Sequence, residues 1–317
     1  MTDFTGPVIE THGLTKRYGD RTVVDGLDIE VPAGVVAGFV GPNGAGKTTT
    51  LRMLLGLVRP SAGAGRVLGV PLSEPAGYLR EVGAMIESPA FYPGLSGERN
   101  LAVQATLGGY DAAQIPALLA RVGLESRGRD PYKAYSLGMK QRLGIAAALL
   151  GDPRLLVLDE PANGLDPAGI RQMRDLLRSL TSGGATVFVS SHLLAEVEQV
   201  CDWLVVIDQG RQVFRGRTAQ LLAAGGDELV LRCEHTCDLP RLVALLDRRG
   251  LTTNRSGDRL RVELAGLLDR STEHGLPALL AELNRSAMAE ELTLVELTVA
   301  SSNLEDRYAT LMTEGAR

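Results

Sequence analysis

The chain has 317 residues, of which 44% are hydrophobic and 22% are charged, and its formal net charge is -5. This composition is typical of a globular protein of about two domains, and the acidic balance gives no indication of a nucleic-acid-binding surface. The first residues, MTDFTGPVIE, lack the basic and apolar regions of a signal peptide, and no apolar stretch reaches the roughly 18 residues of a membrane span. We therefore expect a cytoplasmic protein that reaches a membrane only by docking to another protein.

Short strands open the chain. Strand-like runs at 8–11, 21–25 and 27–31 are separated by polar turns, which predicts an antiparallel N-terminal sheet. The apolar run from Val35 to Val40 predicts a buried parallel strand. A glycine-rich loop and a predicted helix at about 47–58 follow it directly.

This loop matches the phosphate-binding pattern G-x-x-x-x-G-K-[ST] in full. The residues of the pattern and the one after it are Gly41, Pro42, Asn43, Gly44, Ala45, Gly46, Lys47, Thr48 and Thr49. Glycines let backbone N–H groups point at phosphates, and the N-terminus of the following helix adds partial positive charge. We expect Lys47 to reach the β- and γ-phosphates of a nucleotide and the Thr48 hydroxyl to be a ligand of Mg²⁺.

Two carboxylates follow a second buried strand. The run from Leu155 to Leu158 ends in Asp159 and Glu160. Asp159 is predicted to face Mg²⁺, through water, and Glu160 to orient or deprotonate an attacking water. A helix N-terminus is the alternative interpretation for Glu160, because Pro161 follows it. Further strands at 186–190 and 204–207 complete an alternating α/β pattern.

The pattern changes near residue 217. A helical segment at 216–226 is followed by a strand at 229–233, a helix at 239–248, a strand at 260–264, a helix at 276–284, a strand at 292–299 and a closing helix from Asn303. This order predicts a small α+β unit, and we interpret residues 218–317 as an accessory domain with a role in dimerisation or regulation.

Residues 6–217 resemble the nucleotide-binding subunit of an ABC transporter. The family's signature, LSGGQ, is matched by Tyr135 to Met139 (YSLGM), where Leu137 and Met139 depart from the pattern and Ser136 and Gly138 retain it. The resemblance implies a P-loop NTPase fold of ABC type, with a mixed core sheet, an N-terminal antiparallel sheet and a helical subdomain at about 88–150.

The resemblance also implies roles for single residues. Tyr18 would stack on adenine, with core packing as the alternative, and His192 would contact the γ-phosphate, with a capping or core histidine as the alternative. Asp166 belongs to the segment NGLD, which crosses the dimer interface in the family, while Ser136 and Gly138 would face the γ-phosphate. Glu196 and Glu198, on the helix after His192, are predicted to be solvated.

Glu87 follows the apolar run 82–86, in the stretch AMIESPAFYP. The plain interpretation is a solvated loop carboxylate. In the family a glutamine at this place contacts Mg²⁺ and the water and senses the transmembrane partner, and glutamate there is similar to exporters of bacitracin-like and lantibiotic peptides and of drugs. We therefore predict a metal and catalytic role for Glu87, although a carboxylate cannot donate a hydrogen bond as an amide does.

The resemblance predicts an ATPase that drives separate transmembrane permease subunits from the cytoplasmic face of the membrane. Because the chain has one phosphate loop and one signature, two copies would sandwich Mg-ATP head to tail, as a homodimer. The catalytic residues would be Lys47, Glu87, Glu160 and His192. An ATPase acting on ribosomes or DNA is an alternative, disfavoured because the chain lacks a second such domain and a long coiled coil. A nucleotide switch or immunity factor with little turnover is another, left open by the altered signature and Glu87.

Overall fold

The computed structural model describes residues 6–87, 90–223, 227–264, 275–301, 304–305 and 307–308. The chain forms two compact units, and the boundary between them falls between Thr218 and Ala219. Ser88, Pro89 and most of the predicted closing helix lie outside the described residues. Within the described ranges, no helix combines the length and the apolar character needed to span a bilayer.

The first unit alternates strands and helices. Its strands are β1 (Ile9–Tyr18), β2 (Arg21–Leu27), β3 (Glu30–Val31), β4 (Val36–Val40), β5 (Ala62–Val67), β6 (Val70–Pro71), β7 (Val82–Met85), β8 (Leu155–Asp159), β9 (Thr186–Ser191), β10 (Trp203–Asp208) and β11 (Arg211–Arg217). Its helices are α1 (Lys47–Leu54), α2 (Gly97–Gly108), α3 (Ile115–Arg121), α4 (Leu137–Ala148), α5 (Pro167–Ser182) and α6 (Leu194–Val200). Helix α7 (Thr218–Ala223) begins at the unit boundary.

Two sheets organise this unit. The N-terminal sheet has the order β2-β1-β5-β6, with β3 also on β1, and its pairs are antiparallel, as predicted. The core sheet has the order β11-β10-β4-β9-β8-β7 and is parallel except for the β10–β11 pair. The predicted mixed core sheet is therefore confirmed. The indole nitrogen of Trp203, on β10, donates to the Glu30 carbonyl 2.8 Å away and links the two sheets.

The helical prediction that began at Gly216 was wrong at its start. Gly216 and Arg217 end strand β11, which forms a hairpin with β10. The turn of this hairpin is made by Gln209 and Gly210, which both have positive φ. Because β11 is half-exposed along most of its length, it lacks the continuous apolar run that marks its neighbours in the core sheet.

The centre of the core sheet explains where a site can form. Every residue of β4, β8 and β9 is buried, and Phe39 stacks on Phe188 with ring centroids 5.2 Å apart. In this register Asp159 lies opposite Ser190. Because the carboxyl ends of parallel strands meet at one edge, the phosphate loop after β4 lies beside the ends of β8 and β9.

Helices α2, α3 and α4 lie between β7 and β8, within the segment predicted as a helical subdomain. Asn100 of α2 is buried, and its amide group donates to the carbonyls of Tyr92, Leu95 and Ser96 while its oxygen accepts from the Tyr92 N–H. This side chain satisfies the backbone of the loop that enters α2. Helix α4 packs against β7 at a close approach between Gly83 and Ala148.

Gly83→Ala is expected to destabilise the first unit by about 3 kcal/mol, the upper part of the range for overpacked sites. A Cβ at this position would lie 1.9 Å from the carbonyl oxygen of Ala148, and a backbone atom cannot rotate away as a side chain can. Gly94→Ala is the matched control, because a Cβ there would meet nothing within 4 Å. Equal thermal unfolding midpoints for the two variants would contradict this packing.

The second unit is a small α+β structure. Its elements are β12 (Asp227–Cys233), α8 (Leu239–Asp247), β13 (Thr253–Ser256), β14 (Arg259–Glu263), α9 (Gly275–Ala289) and β15 (Leu294–Ser301). The strands form an antiparallel sheet of order β13-β14-β12-β15, and its apolar face packs with α8 and α9 around Leu229, Leu246 and Leu260. Strand β13 was not predicted, since its residues are polar and mostly exposed.

Candidate active site

The loop after β4 and the ends of β8 and β9 line an open cavity of about 480 Å³. The residues around it come from distant parts of the chain and are brought together by the order of the core sheet. They are Arg21, Val23, Asn43, Gly44, Gly46, Lys47, Thr48, Thr49, Glu160, Asn163 and His192.

The loop requires glycine at two positions, because a Cβ atom there would collide with neighbouring backbone. Gly46, which immediately precedes α1, has φ +102°, and a Cβ on it would lie 2.7 Å from the carbonyl oxygen of Val23. A Cβ on Gly41 would lie 2.3 Å from the carbonyl oxygen of Ile207. Gly46 has no side chain to cap α1, so the first N–H groups of this helix remain available to an anion.

Lys47 is a buried cation of the cavity, whereas Arg21 in the same lining is exposed. The Lys47 side chain is only 6% exposed, and its ammonium donates to the carbonyl oxygen of Gly41 at 2.7 Å. The same ammonium lies 3.4 Å from Oε1 of Glu160. The buried charge is therefore compensated by a carboxylate, and a phosphate oxygen is the kind of group that could replace that carboxylate.

Asp159 is held by two hydroxyl groups. The Thr48 hydroxyl donates to Oδ2 of Asp159 at 2.8 Å, and the Ser190 hydroxyl donates to Oδ1. Ser190 also accepts from the backbone N–H of Glu160 at 2.9 Å. Adjacent hydroxyl and carboxylate oxygens are hard ligands of the kind that Mg²⁺ prefers, so these residues fit the predicted metal. Ser190 was not predicted, because its only indication in the sequence is its place at the end of a buried strand.

Glu160 lies between two nitrogen groups. Its Oε2 accepts from Nδ1 of His192 at 2.8 Å, while its Oε1 lies near Lys47. Its backbone has φ +49°, a region that glutamate rarely adopts. A half-buried carboxylate held in this way at the edge of a phosphate-sized cavity can orient a water molecule or accept its proton.

Glu196 lies close to this pair on α6. Both Glu196 and Glu198 are half-buried, so the prediction that these two carboxylates are solvated was wrong. Burial raises the pKa of the Glu196 carboxyl, the charge of His192 lowers it and the charge of Glu160 raises it. Glu196 and Glu160 also line a small, mostly apolar cavity between α5 and α6. The electrostatic field at Glu160 therefore includes the Glu196 carboxyl, a neighbour that was not predicted from the sequence.

Seven predicted nucleotide-contact residues lie outside the cavity lining. Three of them, Gly41, Pro42 and Ala45, belong to the loop itself, and the other four lie elsewhere in the chain. Tyr18 is 49% exposed at the end of β1, with the Lys16 ammonium 4.9 Å from its ring centroid, so it is not packed in the core. Ser136 caps α4 by accepting from the Met139 N–H at 3.3 Å, and Asp166 caps α5 by accepting from the Gly169 N–H at 2.7 Å. Gly138 lies in the first turn of α4.

Leu137, where the signature departs from the family pattern, is 47% exposed beside the segment after Glu160. A Cβ on Gly164 would meet the Leu137 side chain at 3.0 Å, and a Cβ on Gly138 would meet the Leu165 side chain at 3.6 Å. The signature and the NGLD segment of the same chain are therefore in contact.

Glu87 is not among the residues that line the cavity. Its side chain is 63% exposed and its carboxylate pairs with the guanidinium of Arg52, on α1, rather than with Thr48 or Asp159. Arg52 was missed by sequence analysis, since nothing local to it indicates a partner 35 residues away.

Comparison with known proteins supports a nucleotide site. The family model for ABC transporters matches residues 24–163. The chain is 47% identical over 217 residues to the bacitracin transport ATP-binding protein of Enterococcus faecalis, covering 68% of this chain and 70% of that one. It is 37% identical over 302 residues to the Nod factor export ATP-binding protein I of Ralstonia nicotianae, and this match covers 91% of this chain and 93% of that protein. A solved structure of an ATP-binding subunit of an ABC transporter is also similar, with 32% sequence identity and a TM-score of 0.61. The match covers 68% of this chain and 92% of the chain in that structure.

Proposed function

This chain belongs to the ABC transporter family of ATP-binding proteins, and from that premise we propose that it is the motor subunit of an exporter for drugs or antimicrobial peptides. Members of this family bind ATP, hydrolyse it, and work with transmembrane permeases. The observation that carries the proposal is one cavity lined by Lys47, Thr48, Glu160 and His192, with Asp159 hydrogen-bonded to the Thr48 hydroxyl. We place the subunit at the cytoplasmic face of the membrane, bound to its permease.

In the proposed reaction the loop glycines and the N-terminus of α1 bind the phosphates of ATP. Lys47 exchanges the Glu160 carboxylate for phosphate oxygens. Thr48 and Asp159 would hold Mg²⁺, which when bound supplies positive charge that neutralises the phosphates. Glu160 then orients the attacking water and accepts its proton, while His192 fixes the carboxylate through Nδ1.

We further propose that two copies of the chain complete each site. Ser136 and Gly138, the retained residues of the signature, do not line the cavity of their own chain. In a head-to-tail dimer they would face the γ-phosphate bound to the other copy. Tyr18, exposed beside the cavity residue Arg21, is available to stack on adenine.

Mixing two inactive variants tests the dimer. Lys47→Ala removes the phosphate contact, and Gly138→Asp places a carboxylate where a γ-phosphate would lie. Each variant alone should hydrolyse little ATP. A one-to-one mixture should recover up to about a quarter of wild-type turnover, because half of the dimers are mixed and each of those holds one complete site. Phosphate release measures the outcome, and a mixture as inactive as its components would contradict shared sites.

Export of an antimicrobial peptide is supported by the bacitracin relative and by glutamate at position 87. A host that expresses this chain with its permease should tolerate more bacitracin than one without it, and Glu160→Gln should remove the protection. If the susceptibility of the host is unchanged while ATP hydrolysis is intact, the chain is still an ATPase motor but bacitracin is not its cargo.

A nucleotide switch is the second candidate function, and the altered signature, with Leu137 and Met139, favours it. ATP turnover near zero in the wild type would support the switch over the motor.

A further inference from the structure

Two neighbouring strands of the core sheet end in the same unusual way. Strands β7 and β8 are parallel, with Met85 opposite Leu158. Glu87 lies two residues after Met85 and Glu160 lies two residues after Leu158. Both glutamates have positive φ, +61° and +49°, in a region that side chains of this type rarely adopt.

Each of these carboxylates meets a cation from the same helix. Glu160 lies 3.4 Å from the ammonium of Lys47, at the start of α1, and Glu87 pairs with the guanidinium of Arg52, near its end. Thr48 and Arg52 are four residues apart and so lie on one face of α1. Thr48 bonds to Asp159 of β8, while Arg52 reaches the residue that follows β7. One face of α1 is therefore bonded to the ends of two adjacent strands.

We propose that Arg52 is a positioning residue that holds Glu87 at the edge of the nucleotide site and ties the phosphate-binding helix to the segment that leads into α2. This inference rests on the proposed ATP-binding function of the cavity. The pair is exposed, with 39% of the Arg52 side chain and 63% of the Glu87 side chain accessible, so its contribution to folding stability is small. Its effect is electrostatic and local. Arg52, one helical turn from Thr48, neutralises a carboxylate whose unpaired negative charge would otherwise repel an incoming triphosphate.

Loss of Arg52 should therefore weaken nucleotide binding through Glu87. Arg52→Ala is expected to weaken the binding of ATP without added metal about three-fold, as for other exposed ion pairs. In a chain that already carries Glu87→Gln, the same change should weaken binding by less than about 1.5-fold, since no carboxylate is left to compensate. Arg52→Lys should retain most of the affinity, because the positive charge remains. The effect of Arg52→Ala should shrink at high salt.

The chain offers a matched control on the same two strands. Arg154 and Glu81 precede β8 and β7 and form an ion pair of 3.2 Å, with side chains 40% and 47% exposed. This pair lies at the opposite end of the strands from the cavity. Arg154→Ala, alone or with Glu81→Gln, should leave the affinity for ATP unchanged.

Equilibrium titration with a fluorescent ATP analogue, with and without Mg²⁺, measures these affinities on the full chain. Thermal unfolding of each variant confirms that it is folded. If Arg52→Ala weakens binding equally in the wild-type and Glu87→Gln backgrounds, Arg52 acts independently of Glu87 and the inference is overturned. If the wild type itself does not bind the analogue, the proposed function fails instead.

Discussion

Glu160→Gln is expected to lower ATP turnover by about two to four orders of magnitude, the usual contribution of a positioned general base. The amide retains an oxygen that can accept from Nδ1 of His192, so the local geometry is preserved. It cannot accept a proton from water, and it removes the carboxylate that lies 3.4 Å from the Lys47 ammonium. ATP should therefore still bind, and an ATP-bound dimer should accumulate.

Phosphate release measures the turnover, and gel filtration with ATP and Mg²⁺ measures the dimer. Glu196→Gln is the control, because it changes a half-buried carboxyl on the neighbouring helix that has no assigned role in the reaction. We expect its turnover to stay within about three-fold of the wild type, as is usual for changes away from the reacting atoms. Turnover by Glu160→Gln equal to that of the wild type would exclude Glu160 as the base.

Lys47→Ala is expected to weaken ATP binding by about 10- to 100-fold, the value of one hydrogen bond to a charged group. The lysine is almost fully buried, and its ammonium is held over the loop by the Gly41 carbonyl. The variant removes that charge from the place where phosphates are expected and leaves Glu160 without its cation. Both changes disfavour an anionic ligand.

Isothermal titration with ATP measures this loss of affinity. Lys133→Ala, at an exposed position away from the cavity, should bind as the wild type does. Lys47→Arg tests whether positive charge alone is enough. The guanidinium keeps the charge but is too large for the buried position between Gly41 and Glu160, so this variant should recover little of the affinity for ATP. If Lys47→Ala bound ATP as tightly as the wild type does, the phosphates of ATP would not be bound by Lys47.

The parts of the fold that could be predicted are those with local patterns. The runs that became β4 and β8 are apolar throughout because both faces of these strands are covered, and the glycine loop between β4 and α1 has a fixed spacing. The alternation of helix and strand then predicted the α/β core. For the same reason, Lys47, Thr48, Asp159 and Glu160 could be placed at one edge of a sheet.

The parts that could not be predicted depend on the order of the strands. Strand β7 pairs with β8, although the whole helical segment separates them in sequence, and only this pairing brings Glu87 and Glu160 to the same edge. The partner of Glu87 on α1 follows from that arrangement and not from any local pattern. Strands β5, β6, β11 and β13 were not predicted, because they are short or largely exposed and lack a clear apolar pattern.

The position of Trp203 gives this protein a built-in optical reporter. It is the only tryptophan in the chain, and its indole bonds to Glu30 within the first unit. Tryptophan emission during heating should therefore follow the opening of the ATP-binding unit alone, whereas circular dichroism should follow the helices and strands of both units. Two transitions that differ between these methods would show that the units melt separately, and a single shared transition would show that they melt together.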